Sequence, residues 1–349
     1  MRVLLVGTGV HPIPPTGYGG VERTIAELGR ALTDAGADVR IVQTVRHERT
    51  RDEYPFALEL KRRLKESPFD VVHASTPVVA NRLALAGIPF VYTTHSRHWF
   101  EAGGVRARFG FWLERRATRR AARLIALTDR LARRIRERVP RIDPARMTTI
   151  PIGVDTERFR PVWPERSGRQ ALGVGVVRPF KRWEVAAAAL RGTGLRLDIV
   201  GPVPDPEYAR RVIAAGEDVR LLGEISEAAL TAKYATADVF VHPSRVELLA
   251  GVVLQALSAG VPVLGADPIA GLVEAGETGY VAPADADDAG LTAFLHEHAL
   301  GLARSPDERR RLGEAARASA LDRFAWTLVA RRHLEVYAAL AGDASLSRR

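Results

Sequence analysis

The sequence predicts an α/β protein built as two doubly wound domains in series, on three observations. Short apolar runs bounded by glycine, proline or aspartate alternate with helix-length amphipathic segments, which is the βαβ pattern. The pattern halts at residues 150–167, a stretch rich in proline and charge that reads as a linker, and then restarts. At 349 residues the chain is too long for one comfortable core and about right for two α/β domains. Such domains bind ligands at the carboxyl ends of their strands, across a cleft, so functional residues are expected just after strands.

The elements follow in order. RVLLVG has a single charge before a short apolar run ending in glycine, as a first buried strand does, and lacks the cleavage site of a signal peptide. Strands are predicted at residues 2–7, 38–43, 70–73, 90–94 and 124–127, with helices starting near Gly20, Glu53, Pro77, Ala107 and Asp129. After the linker, strands are predicted at 173–177, 196–200, 219–222, 239–242 and 262–265, and helices at 181–191, 207–215, 227–235 and 250–259. Periodic helices close the chain over 285–303, 306–317 and 326–340. The expected domains are 1–155, 156–325, and a terminal helix with its tail, 326–349.

Composition narrows the function. With 46% hydrophobic and 26% charged residues and no low-complexity tract, a packed globular protein is expected throughout. There are no cysteines, which excludes disulfides and thiolate metal sites. No apolar run approaches the length of a membrane span, so a cytoplasmic location is expected. The formal charge of +10 is concentrated: between Arg106 and Arg141 stand thirteen arginines against Glu114, Asp129 and Glu137, a surplus equal to that of the whole chain. Two readings fit this stretch. One is a surface docking on anionic lipid headgroups, which would make the protein peripheral at the membrane, or on another polyanion; the other is two solvated amphipathic helices. Nucleic acid is not expected, because no binding motif accompanies the charge.

Three segments carry candidate chemistry. The loop GTGVHPIPPTGYGGVER lacks the GxGxxG of a dinucleotide site, Pro12 standing where the third glycine belongs, but it sets Gly17, Gly19 and Gly20 just before a helix. Bare amides at a positive helix end can hold an anion or a sugar, or the glycines can serve the turn alone. VGVVRPFKRW ends a predicted strand and opens a helix, so Arg178 and Lys181 project from the ligand edge. Two cations there suit a pyrophosphate, whose departure builds charge on the leaving oxygen. The densest segment is ADVFVHPSRVELLAGVVLQALSAGVPVLGAD. Glu247 follows its strand in a loop, able to accept from sugar hydroxyls or to act as an acidic cap, and the amides of Leu249, Ala250 and Gly251 open the next helix as a second phosphate cradle. Gln255, two turns on, can reach a ribose. His11, His73 and His98 show no metal-site spacing, and Trp99 with Phe100 reads as packing.

This last segment resembles the E-x7-E motif of retaining GT-B glycosyltransferases of family 4. The resemblance extends over nearly the whole chain, through GYGGVE, DVVHAST, VYTTHS, IPIGVDTERFRP, GLVEAGETGYVAPADADD and FAWTLVARRHLEVY. It implies two Rossmann-like domains facing across a cleft, with the last helix crossing back to the first, acceptor-side domain. It implies that Lys181 holds the donor pyrophosphate, Glu247 the transferred sugar, the Leu249–Gly251 amides the phosphate and Gln255 the ribose. His95 matches a histidine near the reacting sugar, and Gly19 and Gly20 match a loop closing on phosphates and acceptor. It further implies retention by front-face attack, no metal and no cofactor. A UDP-sugar is the favoured donor, GDP-mannose the other, and the acceptor is an unidentified hydroxyl, lipid-linked where the basic stretch Arg106–Arg141 docks on a membrane.

Two positions depart from the pattern. Gln255 replaces the motif's second glutamate and loses charge-assisted strength toward a ribose. Val176 stands where the family has arginine; Arg178, two residues on and on the same side of an extended strand, is expected to substitute. The departures keep two other readings open, a sugar-nucleotide epimerase of the same architecture and a non-catalytic sugar-nucleotide binder.

Overall fold

A computed structural model describes residues 1–15, 19–43, 60, 62, 64, 68–95, 99, 104–162, 167–247 and 250–343. The chain divides into two compact units, Met1–Gly153 with Trp326–Arg349, and Val154–Ala325.

The first unit runs β1 (Arg2–Val6), α1 (Gly20–Asp34), β2 (Asp38–Val42), β3 (Val71–Ala74), α2 (Pro77–Leu85), β4 (Val91–Thr93), α3 (Val105–Arg120), β5 (Arg123–Ala126), α4 (Asp129–Arg138) and β6 (Met147–Thr149). Its strands form one six-stranded sheet in the order β2-β1-β3-β4-β5-β6, parallel throughout. The second unit continues with β7 (Gln170–Val174), α5 (Trp183–Ala189), β8 (Arg196–Val200), α6 (Pro206–Ala215), β9 (Val219–Gly223), α7 (Glu227–Thr236), β10 (Val239–His242), α8 (Gly251–Ser258), β11 (Val263–Gly265), β12 (Gly279–Val281), α9 (Asp288–Arg304) and α10 (Pro306–Phe324). Its sheet is ordered β12-β11-β10-β7-β8-β9 and is again parallel.

Buried runs explain the strands: Val3–Val6, Val71–Ala74 and Val239–His242 are covered on both faces, as a parallel sheet under helices requires. Helix starts are set locally. Thr76, Thr128, Asp205, Ser226, Asp287 and Ser305 each accept at the side chain from a backbone amide of the following first turn. The last helix, α11 (Trp326–Ala341), returns to the first unit. There Val329, Ala330, Val336, Tyr337 and Leu340 share a core with Ile25, Leu28 and Leu32 of α1. Trp326 seats on Gly153, where a Cβ would lie 2.2 Å from the indole.

Several expectations need correction. The strand expected at 173–177 lies three residues earlier, because Gly175 with φ +154° turns the chain and Pro179 begins a short 3-10 turn. The short edge strands β6 and β12 were not predicted, since three residues with little apolar signal become strands only by pairing. The helix α10 continues to Phe324, beyond the expected Arg317. Residues 154–159, read as linker, are packed into the second unit: Phe159 is buried, and its carbonyl accepts from Ser258 Oγ (2.6 Å) and Arg317 Nη1 (3.2 Å). The helix expected near Glu53 begins outside the described residues.

Candidate functional site

In the second unit the chain leaves β7 toward one side of the sheet, to β8 and β9, and resumes at β10 on the other. The switch point of this sheet therefore lies between β7 and β10, and the crevice outside their carboxyl ends is the expected ligand position. Lys181 follows β7 and Glu247 follows β10, so topology brings together two residues 66 positions apart.

They meet directly. Lys181 Nζ donates to Glu247 Oε2 at 2.7 Å, with side chains only 12% and 15% exposed. His242, the last residue of β10 and buried, donates from Nε2 to the same oxygen at 2.9 Å. Burial alone would raise the Glu247 carboxyl; the His242 hydrogen bond and the charges of His242 and Lys181 overcome it and bring the group down to about 2. Glu247 is a carboxylate at neutral pH. Burial, with Lys181 adding repulsion, keeps His242 below the usual imidazole value although Glu247 pulls the other way.

Two laced loops hold this cluster. Arg245 N donates to Phe180 O (2.9 Å). Arg182 is buried, in the left-handed region at φ +53°, and its Nε donates to Pro243 O (2.7 Å). Arg182 Nη1 and Arg245 Nη2 both reach Asp288. Beneath Lys181, Trp183 is fully buried against Gly173, where a Cβ would lie 2.5 Å from the ring, and its Nε1 donates to Val176 O (3.1 Å). Gly201, at φ +144°, lets the end of β8 approach Gly175, whose carbonyl would sit 2.3 Å from an added Cβ. The loop carrying Lys181 is thus fixed from below and from the side.

The remaining predicted residues of this unit are less uniform. Arg178 caps the 3-10 turn from an exposed position. Since β7 ends at Val174, the extended-strand spacing that was to let Arg178 replace the arginine at Val176 does not exist, and that expectation is corrected. Ala250 and Gly251 precede the first bond of α8, from Val253 N to Ala250 O (2.8 Å); Gly251 is half-buried and Ala250 buried. Leu249 lies outside the described residues. Gln255, on α8, is half-buried, and its Oε1 has no hydrogen-bond partner.

In the first unit His95 stands two residues beyond β4, half-buried, with Nδ1 lacking a partner. Burial, with the charge of His333 adding to it, lowers its imidazole to about 4. Behind it His73 joins Tyr337 Oη through Nδ1 (2.6 Å) and Thr93 Oγ1 through Nε2 (2.7 Å). Gly19 caps α1 and Gly20 opens it; a Cβ on Gly19 would lie 2.9 Å from Pro15, whereas Gly20 has space around it. Buried Glu22, two residues on, accepts from Thr8 Oγ1. Gly17, His98 and Phe100 lie outside the described residues, and Trp99 packs as expected, buried with Nε1 donating to Thr94 Oγ1 (3.0 Å). Among the described residues no group of three histidine, aspartate or glutamate side chains is arranged to hold a metal ion.

Sequence reasoning missed His242 and Arg182. A histidine ending a buried strand beside an acidic loop was a usable signal for the first; nothing in the sequence sets Arg182 apart from Arg178 and Lys181 beside it.

The family and the fold are shown by comparison with known proteins. Residues 18–158 match the model of Glycosyltransferase Family 4, and residues 181–296 match that of Glycosyl transferases group 1. The chain is 30% identical to an alpha-maltose-1-phosphate synthase of Mycolicibacterium smegmatis over 303 residues, 76% of this chain and 78% of that one. It is 31% identical to a GDP-mannose-dependent alpha-mannosyltransferase of the same organism, over 79% of this chain and 75% of that one. Its fold matches that of sucrose-phosphate synthase from Thermosynechococcus elongatus with a TM-score of 0.81 at 20% identity, covering 97% and 98% of the two chains.

Proposed function

This chain belongs to the family 4, or group 1, glycosyltransferases and transfers a sugar from a nucleotide sugar, and we propose that it does so with retention of configuration and without a metal ion. The observation that supports this reading is the Lys181–Glu247–His242 cluster at the switch point of the second sheet. A fixed ammonium stabilises charge as it develops on the departing diphosphate, the role a metal has elsewhere. The amides ahead of α8 add positive dipole to the same end. Both described bonds to Glu247 fall on Oε2, which leaves Oε1 to accept from hydroxyls of the transferred sugar.

In the step proposed, the bond between the anomeric carbon and the diphosphate oxygen breaks with its electron pair leaving on phosphate. The acceptor oxygen bonds to that carbon from the same face, and its proton passes to the departing phosphate. Neutral His95, after β4, is assigned to the sugar hydroxyls, and Gly19 and Gly20 to a close backbone approach. Gln255 is assigned to the ribose, where it supplies a neutral amide in place of a carboxylate. Arg178, exposed beside Lys181, is assigned to the distal phosphate.

The donor proposed is a UDP-sugar, and likeness to a GDP-mannose-dependent enzyme makes GDP-mannose the one to set against it. A thermal-shift panel of UDP, GDP and ADP with their sugars separates the bases, since a ligand bound only by the folded state raises the melting temperature with its affinity. Lys181→Ala and Glu247→Ala should each lose sugar transfer and donor hydrolysis; wild-type rates in both would overturn the site. Conversion of the donor sugar to its epimer with no acceptor present would reassign the chemistry.

A further inference from the structure

Among the described residues no helix is long and apolar enough to cross a membrane. The helix α3 nevertheless carries a surface that water alone does not explain. Its inner side is buried through Glu114, Ala117 and Thr118, and Glu114 accepts from Tyr92 Oη (2.8 Å) and Thr94 Oγ1 (3.0 Å). Its outer side bears Val105, Phe109 and Trp112, which are 84%, 51% and 53% exposed. Their spacing of four and three residues sets them in one stripe. The Phe109 and Trp112 rings stack on each other with centroids 5.9 Å apart.

Arginines frame the stripe. Arg108 is exposed within it, and Arg119 and Arg120 are exposed where it runs on toward the end of the helix. The Arg116 guanidinium lies 6.0 Å from the Trp112 ring. On the flank, Arg115 of α3 and Arg138 of α4 both lie over Phe111, at 6.0 and 5.1 Å, which joins the basic surfaces of the two helices. A single exposed aromatic is ordinary. A stacked phenylalanine and tryptophan set in a stripe of arginines is the composition of a helix lying in a lipid interface, with rings at headgroup depth and arginine stems snorkelling beside them.

We propose that the outer face of α3 docks on an anionic bilayer and presents a membrane-anchored hydroxyl acceptor to the edge of the first sheet that carries His95. The acceptor half rests on the transfer reaction proposed above. Connectivity supplies the orientation: α3 starts after the carboxyl end of β4, where His95 lies, and runs back to the start of the parallel strand β5. The apolar stripe, Val105 to Trp112, is therefore the half of the helix nearest that edge. Charge selects the occupant, since a second copy of this face would set arginine against arginine, and a soluble polyanion would engage the guanidinium groups and have no use for Val105, Phe109 and Trp112.

The test is co-sedimentation of the full chain with phosphatidylcholine vesicles, with and without phosphatidylglycerol, at low and moderate salt. Binding is expected to the anionic vesicles and to weaken with salt. The double variant Phe109→Ser, Trp112→Ser should bind at least about tenfold more weakly, while Arg116→Gln, Arg119→Gln, Arg120→Gln should lose most of the salt dependence. Both variants should keep the wild-type melting temperature and the donor-induced thermal shift, which separates failure of docking from failure of the donor site. Absence of wild-type binding to anionic vesicles at either salt overturns the proposal. So does full binding by the aromatic variant, which would leave a charge-only contact, or a concentration-dependent dimer that this variant abolishes.

Discussion

The ligand edges of the two units surround their buried histidines with different partners. In the second, His242 and Lys181 converge on one carboxylate oxygen, and the cluster is ionic. In the first, His73 joins Tyr337 and Thr93, and His73, His95 and His333 are each driven neutral by burial; burial lowers His242 as well, but beside an ion pair. The contrast follows from the chemistry assigned to each edge. Charge that develops on a departing diphosphate is answered by a fixed cation paired with Glu247, whereas the histidines of the first unit meet hydroxyl groups as neutral donors and acceptors that cost less to bury.

The sharpest way to break the comparison is to remove the ionic pair. Lys181→Ala and Glu247→Ala should each lower kcat for donor turnover by roughly 100-fold or more, read from released nucleoside diphosphate, whereas His73→Ala should leave the donor KM unchanged. Structural support for the ionic edge comes next. Trp183→Ala empties the space under Lys181 and should destabilise the second unit by roughly 3 to 5 kcal/mol in a denaturant melt.

Acid should separate the two edges by pH. As pH falls from 6.5 toward about 4 the unfolded chain binds protons that folded His333 refuses, so stability falls with pH, by up to about 3 kcal/mol for this group. Glu247 acts in a lower window: its contribution is present above the ordinary carboxyl value of 4.5 and is lost as pH falls toward about 2. Hydrogen exchange, corrected for intrinsic rates, should show α11 losing protection between pH 6.5 and 4.5, and His333→Gln should reduce that loss; the second unit keeps the lower window of Glu247 as its own, although buried His242 adds to the upper one. Unchanged protection of α11 across this range would overturn the neutral, buried state of His333.

Smaller effects refine the picture. His242→Ala removes one of the two described donors to Glu247 and should lower kcat/KM about tenfold, and it should destabilise the second unit by about 1 to 3 kcal/mol in a denaturant melt, less than Trp183→Ala. Gln255→Glu should tighten nucleoside diphosphate binding severalfold if the amide is a weaker ribose partner; an unchanged affinity would take Gln255 out of the donor site.

Much of the frame was legible in the sequence because it rests on local rules. Alternating apolar runs and helix caps located all the strands but the edge strands β6 and β12, positions just after strands yielded Lys181 and Glu247, and the resemblance to family 4 added His95. The register of β7 was not legible, since a run of valines and glycines from Gly173 to Val177 reads equally as strand or turn until Gly175 meets the end of β8. The strand spacing that was to set Arg178 in line with Val176 failed with that register.

Sequence alone determined the fold class and the residue types at the ligand edges, because periodicity, caps and chain order are properties of neighbours. Only tertiary structure decided that His242 shares Glu247 with Lys181, that Arg182 ties two loops, and that the arginine surplus flanks an exposed aromatic stripe on α3. Each of these depends on which strands become neighbours and which helix face stays uncovered. Those distances are set by packing between segments tens of residues apart, and no local pattern encodes them.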